Sequence, residues 1–366
     1  MSRARDFADL AGSASAGGIT GRNMVINGGM TIAQRGTTFA STANVAYTLD
    51  RMQWYDTGAG VVDISQSTDT PNGNFYNSLK IDVTTADSSL AAGDLYNIIH
   101  QIEGYNIAHL GWGTSDAKTV TLSFHIKSPK TGTHCVTLRN SDQTRTRVEE
   151  FTVSAADTWE KKTITIPGDT SGTWQATNSA GIQLIFPLAV GSTYHSSVAA
   201  GSWGNGGNIY GSSNQENCMD SDANNWYITG IQLEAGQTAT PFEHEDYGTT
   251  LRKCQRYYYK VTQVFGVGFG NTNAAAQVEL PFPVQMRTNP TAIDTTGTAA
   301  NYEVRVTGND RASTSVPTIV ADNYNSKDVG YVFFNLTAGH ITAGGVGFCR
   351  GAATDTGAYI AFKAEF

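Results

Sequence analysis

Trp112 in HLGWGTSD, and Trp203 and Tyr210 in GSWGNGGNIYGSS, stand in glycine-rich loops outside any alternating run. A flat aromatic face held at a surface stacks on the apolar face of a sugar ring, so these three are candidate glycan contacts. Tyr324 in ADNYNSKD is a fourth. The competing role for such rings is to plug the ends of a β-sandwich. Trp54, Trp159 and Trp226 lie in strand-like runs and are expected in a core.

Residues that could do covalent or acid–base chemistry are present but not in working patterns. GDTSG at 168–172 has its serine in the wrong place for a nucleophile elbow, and neither HExxH nor GxxxxGK[ST] occurs. Gly266, Gly268 and Gly270 form GxGxG in a β-rich stretch with no helix after it, which fits strand packing better than dinucleotide binding. Asp220, Asp222 and Asn224 start like a calcium-binding EF loop. Asn225 stands where that loop needs glycine, and Ile231 where it needs glutamate. A calcium site of another geometry stays open. His244 sits in an acidic cluster with Glu243, Glu245 and Asp246, which reads as a solvated linker, and His125 falls on the polar side of its strand and is expected to be solvated. Glu149 and Glu150 are adjacent, so in a strand they point to opposite faces. No enzyme activity, cofactor or metal is expected.

The elements that must position these residues are strands. The chain has 366 residues, 39 of them glycine, with 40% hydrophobic residues, which suits many short strands and tight turns. Lys+Arg is 24 against 32 Asp+Glu, a net charge of −8 that lacks the basic footprint of a nucleic-acid binder. No run of about 18 apolar residues marks a membrane span. Cys135, Cys218, Cys254 and Cys349 contain no CxxC pair and are expected as buried thiols.

Leu79, Ile81 and Val83, then Val120, Leu122, Phe124 and Ile126, then Ile182, Leu184, Phe186 and Leu188 repeat with period two. Pro71-Asn72-Gly73, Pro129–Gly132 and Pro167–Asp169 separate these runs as turns. The pattern predicts a jelly-roll β-sandwich over 23–245, with a short helical insertion at Tyr105–Leu110. All six tryptophans lie between Trp54 and Trp226. A linker at 246–256, with one or two helical turns over Tyr247–Tyr257, then leads into a smaller C-terminal β domain at 257–366. Residues 1–22 form a leader in which Ala4, Phe7, Ala8, Leu10 and Ala11 share a helical face before a Gly/Ser/Ala spacer. A helix so short needs a surface to dock on, so the leader reads as an anchor, with Phe7 and Leu10 for an apolar groove and Arg3 and Arg5 for acidic groups.

The strings NMVINGGMTIAQRG (23–36), TWEKKTITIPGDTSGTW (158–174), NNWYITGIQLEAGQTATPFEH (224–244) and LRKCQRYYYK (251–260), in this order, resemble bacteriophage virion proteins, especially the tail-fibre-like proteins of cyanophages and other marine phages. PFPVQMRTNPT (281–291) is a looser landmark. The resemblance implies a carbohydrate-binding-module-like jelly roll, a C-terminal β domain and a homotrimer. It implies localisation in the virion after synthesis in the host cytoplasm. Partners would be other virion proteins, met through the N-terminus, and host-surface glycans. Two alternatives stay open: a capsid or head fibre or decoration protein with no receptor role, and a glycan-degrading tailspike. An N-terminal attachment would turn residues 257–366 outward, where they are expected to carry the main host contact.

Overall fold

The computed structural model describes residues 21–366 apart from 43, 72, 321–324 and 354–356. The anchor candidates Arg3, Arg5, Phe7 and Leu10 and the glycan candidate Tyr324 lie outside the described residues. Two compact units are formed, one from residues up to Tyr247 with Phe366, the other from Gly248–Glu365.

The first unit is an antiparallel two-sheet sandwich. Its strands are β1 Thr38–Thr42, β2 Val45–Tyr47, β3 Gln53–Asp56, β4 Val61–Ser67, β5 Ser78–Thr85, β6 Leu95–Glu103, β7 Val120–Lys127, β8 Gly132–Arg139, β9 Arg145–Val153, β10 Glu160–Ile166, β11 Ala180–Val190, β12 Trp203–Asn205 and β13 Asn225–Ala235. One sheet has the order β1-β4-β5-β13-β7-β10 and the other β12-β9-β8-β11-β6-β3-β2, so the chain passes back and forth between layers along a jelly-roll route. Two 3-10 turns, Gly104–Asn106 and Ala108–Leu110, form the predicted insertion. The alternating sets of β5, β7 and β11 meet between the sheets, joined by Trp54 and Trp226. Each fully buried Leu, Ile or Phe there contributes about 1.5–3 kcal/mol over remaining exposed.

Two of the strings that carry the phage resemblance, 23–36 and 224–244, meet in this sandwich. Asn23 Nδ2 donates to Ile231 O at 3.0 Å, and Leu233 N donates to Asn23 Oδ1 at 3.1 Å. Ile231 N donates to Gly28 O at 3.0 Å. A Cβ on Gly28 would lie 2.0 Å from Ile231 O, so only glycine allows this approach. Asn27, at φ 62°, holds the turn by donating to Ile32 O and Asp50 O.

Two expectations are corrected. Trp159 is not core: it is half-buried just before β10, packs against Tyr227 at 6.1 Å and donates to Asp69 Oδ1 at 2.9 Å. His125 is not freely solvated. The β13 bulge at Gly230 brings Phe75 against its ring at 5.1 Å, and its Nδ1 is buried without a partner.

His125 is one of three sandwich histidines that burial holds below their ordinary pKa. Burial, then the nearby Lys161, takes His125 down to about 4. His100, whose two ring nitrogens are buried without partners, lies well below 6.5 through burial, then Arg51. His134, 1% exposed, is lowered chiefly by burial. Below pH 6.5 the unfolded chain takes up protons that the folded chain refuses, so stability falls with pH from about 6.5 towards 4. Tm of the sandwich transition should therefore drop between about pH 7 and pH 5, above the usual carboxylate range. A flat Tm over that interval would sink the assignment.

The second unit opens with α1, Tyr247–Gln255, as predicted. Its strands are β14 Tyr258–Thr262, β15 Val264–Thr272, β16 Ala275–Pro281, β17 Ile293–Thr295, β18 Tyr302–Val306, β19 Asn309–Ala312, β20 Thr318–Ile319, β21 Val329–Asn335, β22 Val346–Gly351 and β23 Tyr359–Lys363. They form a three-stranded sheet, β14-β23-β17, and a seven-stranded one, β19-β18-β22-β15-β16-β21-β20. Phe265, Val278, Tyr302, Phe334, Ile360 and Phe362 lie in their common core. The GxGxG of 266–270 lies within β15, where Gly268 and Gly270 are packed against neighbouring backbone.

Candidate functional site

Three of the loop aromatics singled out from sequence, Trp112, Trp203 and Tyr210, turn out to be packed. Trp112 is 6% exposed, and its indole meets Trp174 at 4.7 Å and Trp203 at 5.3 Å, each edge to face. Trp174 and Trp203 meet at 5.4 Å, closing a triad at one end of the sandwich. All three indole N–H groups are spent on backbone carbonyls: Trp112 on Lys118, Trp174 on Ser171 and Trp203 on Pro167. Trp112 is thus a plug. Trp203 is half-buried, with the Arg147 guanidinium 5.8 Å from its ring. An open groove of about 580 Å³ at this end is lined by Gln143, Arg145, Ser171 and Asn205. Its cation is already committed, since Arg145 makes a two-pronged contact to Asp169 at 2.7 and 2.8 Å and donates to Asn205.

Tyr210 is also buried, at 5% exposure, but its place is different. The long connection from β11 to β13 folds back over the outer face of the seven-stranded sheet. It lays Tyr210 and Tyr194 on Leu95, Ile99 and Ile185. This cover explains why all nine residues of β6 are buried although only alternate ones face the main core.

Beside this cover, the same face carries a row of polar side chains. Gln183 on β11 is paired with Gln101 on β6 and with Arg139 on β8. Gln53 on β3 stands one step off, opposite Ile99. Because Ile98, Ile102, Ile182 and Leu184 turn inward, period two turns Gln101 and Gln183 outward. Gln101 Nε2 donates to Gln53 Oε1 at 3.5 Å, and Gln183 Nε2 to Gln101 Oε1 at 3.1 Å. Arg139 Nε donates to Gln183 Oε1 at 2.5 Å, and Arg139 Nη2 to the Tyr210 hydroxyl at 3.1 Å. The guanidinium also lies 4.4 Å from the centre of the Tyr210 ring.

Two atoms of this face are left over. Arg139 Nη1 and Asn97 Oδ1 are buried without a hydrogen-bond partner, on side chains that are 3% and 0% exposed. Such groups are costly to leave unmet. Tyr55 stacks on Tyr210, with centroids 6.2 Å apart and planes at 10°, and Tyr194 meets Tyr210 edge to face at 5.5 Å. Tyr55, Tyr194 and Gln183 are half-buried and reach solvent. Burial, then the neighbouring Tyr210 and Tyr194 phenols, raises the Tyr55 pKa, so its hydroxyl stays a neutral donor and acceptor.

The set offers amide donors and acceptors, phenols, a cation and flat rings. None of Gln53, Tyr55, Asn97, Gln101, Arg139, Gln183, Tyr194 and Tyr210 is a carboxylate. The arrangement is built to hold hydroxyl-rich or polar ligands. Sequence reasoning identified Tyr210 alone of this group. An outward glutamine in a strand carries no signal by itself; register across four strands makes the row. Elsewhere, the Asp220 carboxylate is occupied by Lys130 Nζ at 2.5 Å and Asn224 Nδ2 at 2.8 Å, an ion-paired loop. The four cysteines are buried and in no disulfide, and burial pushes Cys218 and Cys349 up to about 12, where they are poor nucleophiles.

No protein-family model matches the chain. No curated protein matches it either. Solved structures with a likeness include the enzymatically active domain of tailspike protein 4 from bacteriophage CBA120, at 14% identity over 51% of this chain and 20% of that one, with a TM-score of 0.30. An arabinose-bound GH51 α-L-arabinofuranosidase is 12% identical over 61% of this chain and 28% of its own, with a TM-score of 0.34. A family 11 carbohydrate-binding module from Clostridium thermocellum, in complex with a β-1,3-1,4-mixed-linked tetrasaccharide, is 14% identical over 56% of this chain and 99% of its own, with a TM-score of 0.29. This chain thus spans about a fifth of the tailspike domain and under a third of the arabinofuranosidase. All three TM-scores lie below 0.5, and the fold assignment stands on strand order and register.

Proposed function

We propose that this chain is a non-catalytic glycan-binding component of a bacteriophage particle, a homotrimeric tail fibre that docks by residues 1–22 and meets host-surface glycans. The observation that carries the binding reading is the Gln53–Gln101–Gln183–Arg139–Tyr210 row, with two buried polar atoms still lacking partners and half-exposed tyrosines beside it. A sugar presents both an apolar ring face and several hydroxyls, which this combination matches. The lack of a carboxylate pair in the row supports binding without cleavage. The particle reading is supported by the four ordered strings, and the anchor role of Arg3, Arg5, Phe7 and Leu10 belongs to it.

The test is binding of the full chain to a panel of bacterial surface polysaccharides, with Tyr55→Ala alongside. The wild type should bind at least one glycan without releasing reducing ends. Tyr55→Ala should bind at least about tenfold more weakly at unchanged Tm, since each 1.4 kcal/mol of lost contact is a factor of ten. No binding to any glycan, or equal binding by the variant, would overturn the glycan reading. New reducing ends would overturn the non-catalytic part.

A further inference from the structure

Nine large apolar side chains are exposed among the described residues, and four of them, Val264, Val267, Phe269 and Val346, share one face of β15 and β22. Each is 56% to 62% exposed. The registers Phe269↔Val346 and Val267↔Phe348 make two adjoining rows, and Val264 stands beyond them opposite Arg350. Half-buried Tyr331 and Phe333 on β21 extend the rows beyond β16. Scattered single apolar residues are ordinary at a surface; a contiguous stripe with a charged rim is the pattern of an interface.

We propose that this stripe is where copies of the chain meet, with the chain's own equivalent face as its occupant. The proposal deepens the homotrimer of the preceding section and rests on it. Its argument is the charge at the two ends of one row. Arg305 on β18 is opposite Phe348, which is opposite Val267. Gly268 is opposite Val278, so the next residue of β16, Glu279, stands beside Val267. The row therefore runs from a cation, through two apolar side chains, to an anion. Arg305 gives Nε and Nη2 to Asp310, at 2.8 and 3.0 Å, and keeps Nη1. Exposed Glu279 has no cationic partner among the described residues. When three such faces turn towards a common axis, the Arg305 end of each copy comes against the Glu279 end of the next, and the apolar residues fill the centre. The match is head to tail, so the same Arg305-to-Glu279 contact repeats at each of the three seams, as a ring closed by three-fold rotation requires.

Light scattering of the full chain at about micromolar concentration tests this, with Phe269→Asp and Val346→Asp as separate variants. The wild type should weigh about three chains, and each variant, at unchanged far-ultraviolet circular dichroism, about one. Glu279→Arg should also weaken association, and Arg305→Glu added to it should restore it. A trimeric wild type with both aspartate variants still trimeric overturns this face and leaves the trimer standing. A monomeric wild type overturns both, and either result leaves the glycan assay of the first unit unaffected.

Discussion

Trp112→Ala will cost the sandwich about 3–5 kcal/mol and leave glycan affinity of the remaining folded protein unchanged. The indole is 6% exposed and touches two other indoles edge to face, so its removal opens a hole that those rings cannot easily fill. It also frees the Lys118 carbonyl, which now accepts from Trp112 Nε1 at 2.8 Å. A loss of this size is a large part of the about 5–15 kcal/mol that holds an ordinary domain together. Urea unfolding followed by tryptophan fluorescence will show it as a lower midpoint. The opposite pattern, intact stability with lost glycan binding, would restore Trp112 as a sugar platform and refute the plug.

Arg139→Met should do the reverse. The guanidinium is 3% exposed, has no carboxylate partner, and retains an unpartnered Nη1. Burying such a charge is expensive, and replacing it with an apolar chain of similar length is often neutral or stabilising. Relief of the buried charge offsets the hydrogen bonds lost at Gln183 and Tyr210, so the variant should keep its unfolding free energy within about 1 kcal/mol of wild type. It should nevertheless lose glycan affinity by about tenfold or more, because a charge-assisted hydrogen bond to a ligand is worth about 1.5–3 kcal/mol. Loss of Arg139 also unlocks Gln183 and the Tyr210 hydroxyl, which it now orients. If Arg139→Met unfolds the sandwich while the folded fraction binds normally, the row is a structural network and the glycan reading fails.

These two residues show where sequence was readable. Period-two alternation in Leu79–Val83, Val120–Ile126 and Ile182–Leu188 depends on strand geometry alone, so it announced which side chains would fill the core and that the fold would be a sandwich. Tight turns and the short helix at Tyr247–Gln255 were legible for the same local reason. The aromatic loops were harder. A tryptophan in a glycine-rich loop has the same local sequence whether it faces water or three walls. Trp112 became a plug because Trp174 and Trp203, 62 and 91 positions further along the chain, converge on it. Trp159 went the other way because the strand it introduces begins one residue later and turns the indole outward.

The sequence by itself determined the all-β class, the inward faces of the main strands and the lack of a recognisable catalytic motif, since each follows from the types and spacing of near neighbours. Only the tertiary structure decided the polar row. Gln53, Gln101, Arg139 and Gln183 come from four strands, and their meeting depends on sheet order and on register. A slip of one residue in any of those ladders would send its side chain to the opposite face, so no local pattern can encode the row.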